Sequence, residues 1–163
     1  MRLRHANANL AYLVPGVKYR RRDPSPPIAF AAPPPQSRPV QHPNAQTAIA
    51  FYRTAFLGDP RAAVEQYVGD DYRQHNPAVA DGPAGFIAYF ERMHRDYPDK
   101  SIRFLRSVAE GDLVALHTHQ IWPDGEEYVT MDFFRFDAAG KIVEHWDAIQ
   151  RVPAEAANDN GMF

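Results

Sequence analysis

Apolar residues in the middle of the chain recur at helical spacing. Over residues 45–57 they lie three and four positions apart, which predicts an amphipathic helix ending at Gly58. Asp59-Pro60 then combines an N-cap residue with a proline suited to the first helical position, so a second helix begins there and ends near Gly69. Residues 82–97 show the same spacing and predict a third helix.

Beyond residue 100 the apolar period drops to two, which is typical of half-buried strands. Glycine-containing turns separate the segments at hairpin spacing. Helices followed by hairpins predict an α+β fold, with a curved antiparallel sheet and about three helices enclosing a pocket. The four predicted strands are residues 101–109, 112–122, 127–137 and 141–150.

Residues 1–43 differ from the rest of the chain in proline content and charge. They hold nine of the fifteen prolines and a net charge of +6, whereas the remainder carries −8. Proline removes backbone donors, so neither helix nor sheet propagates through this segment. We predict a disordered basic tail over 1–43, one domain over 44–150 and a polar C-terminal tail over 151–163.

Composition excludes several classes of protein. The chain has no cysteine, which removes thiolate metal sites, disulfides and cysteine nucleophiles. No apolar run reaches the roughly 20 residues of a membrane helix, and no apolar stretch is long enough for a secretory signal. The acidic domain would repel nucleic acid. We therefore expect a cytoplasmic protein without a membrane or nucleic-acid partner.

The turns of the hairpins predict which side chains share a face of the sheet. Asp124-Gly125 suits a two-residue type I′ turn, which places His117 opposite Asp132 and His119 opposite Thr130. A slip of one residue would separate these side chains.

The next hairpin suits a three-residue loop with Gly140 in the left-handed position. That register places Trp146 opposite Asp132, with Glu144 on the same face. His145 and Asp147 then lie on the other face unless a bulge intervenes.

Asp132 is the most informative single residue. It interrupts an aromatic, strongly β-forming segment, although aspartate is rare in strands and costly to bury without partners. Enclosure by aromatic rings disfavours the charged carboxylate and favours a general base, and neighbouring histidines would stabilise developing charge on a substrate oxygen. The alternative is a structural aspartate that pairs with Arg135 or with a backbone amide.

Histidines at alternate strand positions also raise the question of a metal. His117 and His119, with His75 and Asp132, offer enough ligands for a divalent ion. The alternative is that these histidines make ordinary hydrogen bonds in a polar pocket. We predict no metal and no cofactor.

Four segments together resemble the SnoaL-like polyketide cyclases of the nuclear transport factor 2-like superfamily. The resemblance covers about residues 44–150. The segments are Tyr72-Arg73-Gln74-His75-Asn76-Pro77, Gly82-Pro83-Ala84-Gly85-Phe86, Met131-Asp132-Phe133-Phe134-Arg135-Phe136 and Gly140-Lys141-Ile142-Val143-Glu144-His145-Trp146-Asp147.

The resemblance implies a cone-shaped α+β domain, usually a homodimer, with a hydrophobic pocket and an aspartate that acts as general acid and base without a cofactor. By position Asp132 resembles that aspartate, and His119 and His117 resemble the polar residues of the preceding strand. We expect the substrate to contact a further set of side chains. These are His75, Asn76, Tyr128, Phe134, His145 and Trp146.

The sequence therefore predicts an acid/base enzyme that acts on a small hydrophobic carbonyl compound by aldol-type cyclisation. Isomerisation or dehydration on the same fold is the alternative reaction. A binding or dimerisation module without catalysis is the alternative from another class, because one fold supports many functions.

Overall fold

The computed structural model describes residues 20–21 and 42–163 of the 163-residue chain. Three helices lie in the first half of the main body, with one strand between the second and the third. Each helix has a proline in its first turn and a side chain that caps its N-terminus. The second cap is Asp59, whose carboxylate accepts from the amide of Ala62 at 3.0 Å. The helices are α1 (Pro43–Phe56), α2 (Pro60–Tyr67) and α3 (Gly82–Asp96).

Five strands form one mixed sheet in the order β2-β6-β5-β4-β3. The four hairpin strands are antiparallel, as predicted, and their ends lie close to the predicted positions. The strands are β2 (Val68–Gln74), β3 (Ser101–Glu110), β4 (Leu113–Ile121), β5 (Glu127–Phe136) and β6 (Ile142–Arg151).

Strand β2 is not predicted by the sequence. It contains Asp70 and Asp71 and has no clear period of two, yet it pairs in parallel with β6. The backbone amide of His75 extends this pairing by donating to the carbonyl of His145 at 2.9 Å. Long-range pairing therefore creates a strand where local propensity predicts only a polar segment.

The helices cover one face of the sheet, which we call the inner face, and an aromatic core fills the space between them. Phe51 of α1 stacks on Phe86 of α3 with ring centroids 5.0 Å apart. It also meets Phe134 of β5 edge-on at 5.9 Å. The opposite, outer face of the sheet exposes Met131 and Phe133, whose exposed fractions are 45% and 46%. The predicted α+β cone-like architecture is confirmed.

The predicted register between β4 and β5 is wrong by one residue. Trp122 to Gly125 forms a turn in which the amide of Gly125 donates to the carbonyl of Trp122 at 2.9 Å. A type I′ turn needs a positive φ at both Asp124 and Gly125, but Gly125 alone in this loop has a positive φ, +81°. Pro123, whose φ is necessarily negative, suits the second position of a type I turn. A type I turn with a left-handed glycine therefore replaces the type I′ turn. Consequently His117 faces Met131, whereas Asp132 faces Leu116.

The predicted register between β5 and β6 is also wrong, although the predicted loop is present. Gly140 has a φ of +76°, and Phe136 faces Ile142 across the loop. A bulge at Val143 then shifts all later pairs by one residue. Asp132 therefore faces Asp147 rather than Trp146.

A second unit is described by itself. Within it, β1 (Arg20–Arg21) pairs antiparallel with β7 (Glu155–Ala156), which lies in the segment predicted as a C-terminal tail. The disordered tail predicted for residues 1–43 falls mainly outside the described residues. No helix in the part of the chain that the structure describes is long and apolar enough to cross a membrane.

Candidate functional site

Asp132 lies on the inner face of β5, where its carboxylate is fully buried. The hydroxyl of Thr130 donates to its Oδ2 atom. Thr118 extends this chain from β4, with its Oγ1 atom 2.6 Å from that of Thr130. The Oδ1 atom of Asp132 lies 3.2 Å from Nε2 of His145. Asp132 is thus held on both sides by groups of its own sheet.

The tautomer of His145 follows from the neighbouring amide. The backbone amide of Asn76 donates to Oε1 of Gln74 at 2.9 Å, and Nε2 of Gln74 donates to the hydroxyl of Tyr72 at 2.9 Å. Because Oε1 of Gln74 is an acceptor and lies 3.2 Å from Nδ1 of His145, that ring nitrogen carries a hydrogen. The other ring nitrogen then shares a proton with the carboxylate of Asp132.

Asp147 is the second carboxylate of the site, and it is only partly buried. Its Oδ2 atom accepts from the side-chain amide of Asn76 at 2.7 Å. Burial raises the pKa of Asp147, and the charge of Asp132 raises it further, while His145 and the hydrogen bond from Asn76 oppose the shift. Asp147 is therefore both closer to solvent than Asp132 and a stronger base than an ordinary aspartate.

Three tyrosines surround these carboxylates and remain protonated. Burial raises the pKa of Tyr52, and Asp132 adds to the shift. Burial likewise raises the pKa of Tyr72 and of Tyr89, in both cases with Asp147 as the next contribution. Each hydroxyl is thus a neutral hydrogen-bond donor at physiological pH.

The structure separates His117 and His119 from Asp132, contrary to the predicted face. Both histidines lie on the outer face because of the register shift between β4 and β5. Nδ1 of His117 lies 3.0 Å from a guanidinium nitrogen of Arg106, and Nε2 of His119 lies 2.6 Å from Oε2 of Glu127. The metal site that these histidines, His75 and Asp132 could have formed therefore does not assemble among the described residues.

His75 and Trp146 form an outer-face stack, with ring centroids 4.8 Å apart. Glu144 links this stack to Arg135, because its carboxylate accepts from both His75 and Arg135. Arg135 also pairs with Asp112 at 2.9 Å. The sequence-based alternative in which Arg135 neutralises Asp132 is therefore wrong.

The other predicted substrate-binding residues occupy different environments. Phe134 lies on the inner face and stacks on the ring of His145 with centroids 4.6 Å apart. Tyr128 meets Trp122 edge-on at 5.9 Å. On the outer face, Trp146 borders a shallow cavity of about 240 Å³.

Metal-ligand geometry is present only at the inner site among the described residues. Asp132, His145 and Asp147 each offer one ligand atom, and these atoms lie within 4.8 Å of one another. Asp132 and His145 already satisfy each other through a shared proton, and Thr130 and Gln74 satisfy their remaining atoms. These four residues therefore form a continuous hydrogen-bonded network.

The sequence predicts Asp132, Asn76 and His145 as site residues but does not bring them together. It places Thr130 on the face of Asp132 without predicting their contact, and it does not predict Thr118 or Gln74 as partners. In the absence of a bulge it places His145 and Asp147 on the other face, and the bulge at Val143 brings both to the inner face. The sequence signal that could have found the rest of the site was the resemblance of residues 140–147 to the family pattern, because this segment contains both His145 and Asp147.

Fold and site together define a small α+β protein in which a curved sheet holds carboxylate and imidazole groups beneath three helices. The family model of the SnoaL-like domain matches residues 48–145, more than half of the chain. The chain therefore belongs to the SnoaL-like domain family. None of the curated proteins compared with the chain matches it.

Solved structures show the same fold. TsrD from Streptomyces laurentii is 24% identical, with a TM-score of 0.57 over 68% of this chain and 91% of its own. A proposed isomerase of the SnoaL-like family from Agrobacterium tumefaciens is 19% identical, with a TM-score of 0.57 over 66% and 97%. IdmH from Streptomyces antibioticus, a proposed polyketide cyclase, is 21% identical, with a TM-score of 0.57 over 66% and 92%.

Proposed function

We propose that this chain is a cofactor-independent acid/base enzyme that acts on a small hydrophobic carbonyl compound. The observation that carries the proposal is the arrangement of Asp147, His145 and Asp132, in which a partly exposed carboxylate with a raised pKa adjoins a buried proton-sharing pair. Perturbed acids beside specific charge partners are typical of catalytic sites.

The geometry supports different roles for the two carboxylates. Asp132 is fully buried and bonded to Thr130 and His145, so it acts by positioning His145. Asp147 is the carboxylate that a substrate reaches, and its raised pKa suits proton abstraction near neutral pH. Tyr89 of α3, which remains protonated beside Asp147, is the proposed donor to the substrate oxygen.

The reaction we favour is an intramolecular aldol closure. Asp147 removes a proton from the carbon next to a carbonyl group, and the electron pair of that C–H bond forms an enolate. The enolate carbon attacks a second carbonyl of the same molecule, so one carbon–carbon bond forms while the attacked C=O double bond becomes an alkoxide. Asp147 then returns the proton to that alkoxide. Isomerisation differs only in returning the proton to another carbon, and remains the alternative reaction.

The shared fold with IdmH, itself described as a proposed polyketide cyclase, supports this class of chemistry. The ion pairs of Arg135 with Asp112 and Glu144 favour an enzyme over a binding module, because they leave the site carboxylates without a structural guanidinium partner.

Deuterium exchange of a 1,3-dicarbonyl probe, followed by NMR in D₂O, tests the proposal. We expect the enzyme to accelerate exchange and Asp147→Asn to abolish most of that acceleration, by about a hundredfold or more. Asp70→Asn, which changes an exposed aspartate on β2, is the matched control. Equal exchange by Asp147→Asn and the unmodified protein would refute the role of Asp147.

We also propose a homodimer, as the family resemblance implies. The exposed side chain of Phe133 on the outer face, beside the cavity that Trp146 borders, is consistent with a second copy as the partner. Sedimentation velocity would show a species of twice the monomer mass, and Phe133→Glu would shift it towards the monomer. A monomer at all concentrations would contradict the proposal.

A further inference from the structure

Four basic side chains lie together on the outer face of β3 and β4. The register pairs Arg103 with His119 and Arg106 with His117. Directly opposed residues share a face of a sheet and lie close together. We call these four residues the basic patch, and it occupies the sheet face opposite the proposed catalytic carboxylates.

A β-bulge creates the basic patch. Arg103 and Arg106 are three positions apart, so in a regular strand they would point to opposite faces. The register shifts between Phe104 and Arg106 and leaves Leu105 without a partner. Both guanidinium groups therefore reach the outer face, where each is exposed. Bulges commonly redirect a side chain towards a functional site.

His117 orients the guanidinium group of Arg106 in this patch, and its own N–H is buried. A guanidinium group has no acceptor, so its contact with Nδ1 requires that nitrogen to accept from Arg106. The hydrogen of the neutral ring is therefore on Nε2, which is buried without a hydrogen-bond partner among the described residues. This buried N–H points away from Arg106, so Nδ1 is the ring atom that orients the guanidinium group of the patch.

His119 adds a second unsatisfied nitrogen. Its ring is 4% exposed, because Phe163 stacks on it with centroids 3.9 Å apart. Nε2 pairs with Glu127, whereas Nδ1 is buried and has no partner among the described residues. The imidazole is thus held in a fixed orientation by Glu127 and Phe163.

Positive charge exceeds negative charge at the patch. Glu127 is the one carboxylate in contact with it among the described residues, and it is taken up by His119. Arg103 has no ion pair in the part of the chain that the structure describes. Two exposed guanidinium groups therefore lie together, and neither has a carboxylate partner among the described residues.

We propose that the basic patch binds the phosphate group of a small molecule. A phosphate monoester offers three oxygens and a charge of about −2, which match several donors better than the two oxygens of a carboxylate. Guanidinium groups bind such oxygens in pairs. This site lies on the other face of the sheet from Asp147 and does not depend on the proposed function.

An NMR titration with inorganic phosphate and with phenyl phosphate, at constant ionic strength, tests the proposal. We expect saturable binding that shifts the side-chain Nε–H signals of Arg103 and Arg106. The more tightly bound probe distinguishes free phosphate from a phosphate ester, and either result supports the site. Acetate binding as tightly as phosphate would overturn the assignment to a phosphate group.

Variants of the exposed arginines separate the site from general charge effects. Arg103→Gln and Arg106→Gln should each weaken phosphate binding about tenfold, the effect of losing one charge-assisted hydrogen bond. Arg95→Gln, which changes an exposed arginine on α3, should leave binding unchanged. Equal weakening by all three variants, or none by Arg103→Gln, would refute the site. Unchanged thermal unfolding of each variant shows that folding is not the cause.

Discussion

Replacement of Asp147 by Asn should reduce activity and increase stability at the same time. Burial is the largest cause of the raised pKa of Asp147, so ionising this carboxylate costs the folded state more than the unfolded state. Asn has the same size, and its side-chain oxygen still accepts the hydrogen bond from Asn76. The variant should therefore keep the structure while removing the cost of the charge.

The magnitude depends on how far the folded pKa exceeds the unfolded value. Each unit of difference corresponds to about 1.4 kcal/mol, and for a domain of this size 1 kcal/mol shifts the melting temperature by about 4 °C. The stability contribution of a group whose pKa is raised on folding is fully present below its unfolded pKa and is lost as the pH rises through the folded pKa. Asp147→Asn should thus raise the melting temperature at pH 7 and have little effect near pH 3.

Thermal unfolding of the Asp147→Asn protein across pH 3–8, with Asp70→Asn as control, measures this difference. A stability gain that persists unchanged at pH 3 would show that ionisation is not its cause. A decrease in melting temperature at pH 7 would refute the reasoning outright. The rate of the 1,3-dicarbonyl exchange in the unmodified protein should in turn fall as the pH drops through the raised pKa of Asp147.

Two further predictions concern stability. Thr130→Val removes the hydroxyl that donates to Asp132, so it should lower the free energy of unfolding by about 1–3 kcal/mol, as measured by urea denaturation. A loss below about 0.5 kcal/mol, which is the usual effect of a surface substitution, would contradict this prediction. Gly58→Ala should cost about 2 kcal/mol or more, because φ is +122° and the new Cβ would lie 2.7 Å from the ring of His94. Gly125→Ala, at φ +81° with no atom within 4 Å, should cost only about 1 kcal/mol, and equal losses at both glycines would refute the steric part.

Local sequence signals were sufficient for most of the secondary structure. Proline in the first turn and a capping side chain determine where α2 begins, and these signals act within a few residues. The turn containing Gly140 was also predictable, because only a left-handed residue closes that loop. Strand β2 was not predictable, because its pairing with β6 depends on residues about 70 positions away.

The composition of the site was partly visible in the sequence, since Asp132 stands out in an aromatic strand and the segment ending at Asp147 resembles a family pattern. Its assembly was decided mainly by tertiary structure. The turn at Pro123 and the bulge at Val143 each change the register by one residue, and such a change moves a whole strand's side chains to the other face. Pro123 is itself a local signal, because proline favours the second position of a type I turn, whereas the bulge at Val143 depends on packing of the entire sheet against the helices. Local sequence therefore determines which side chains are available for chemistry, and packing determines which of them meet.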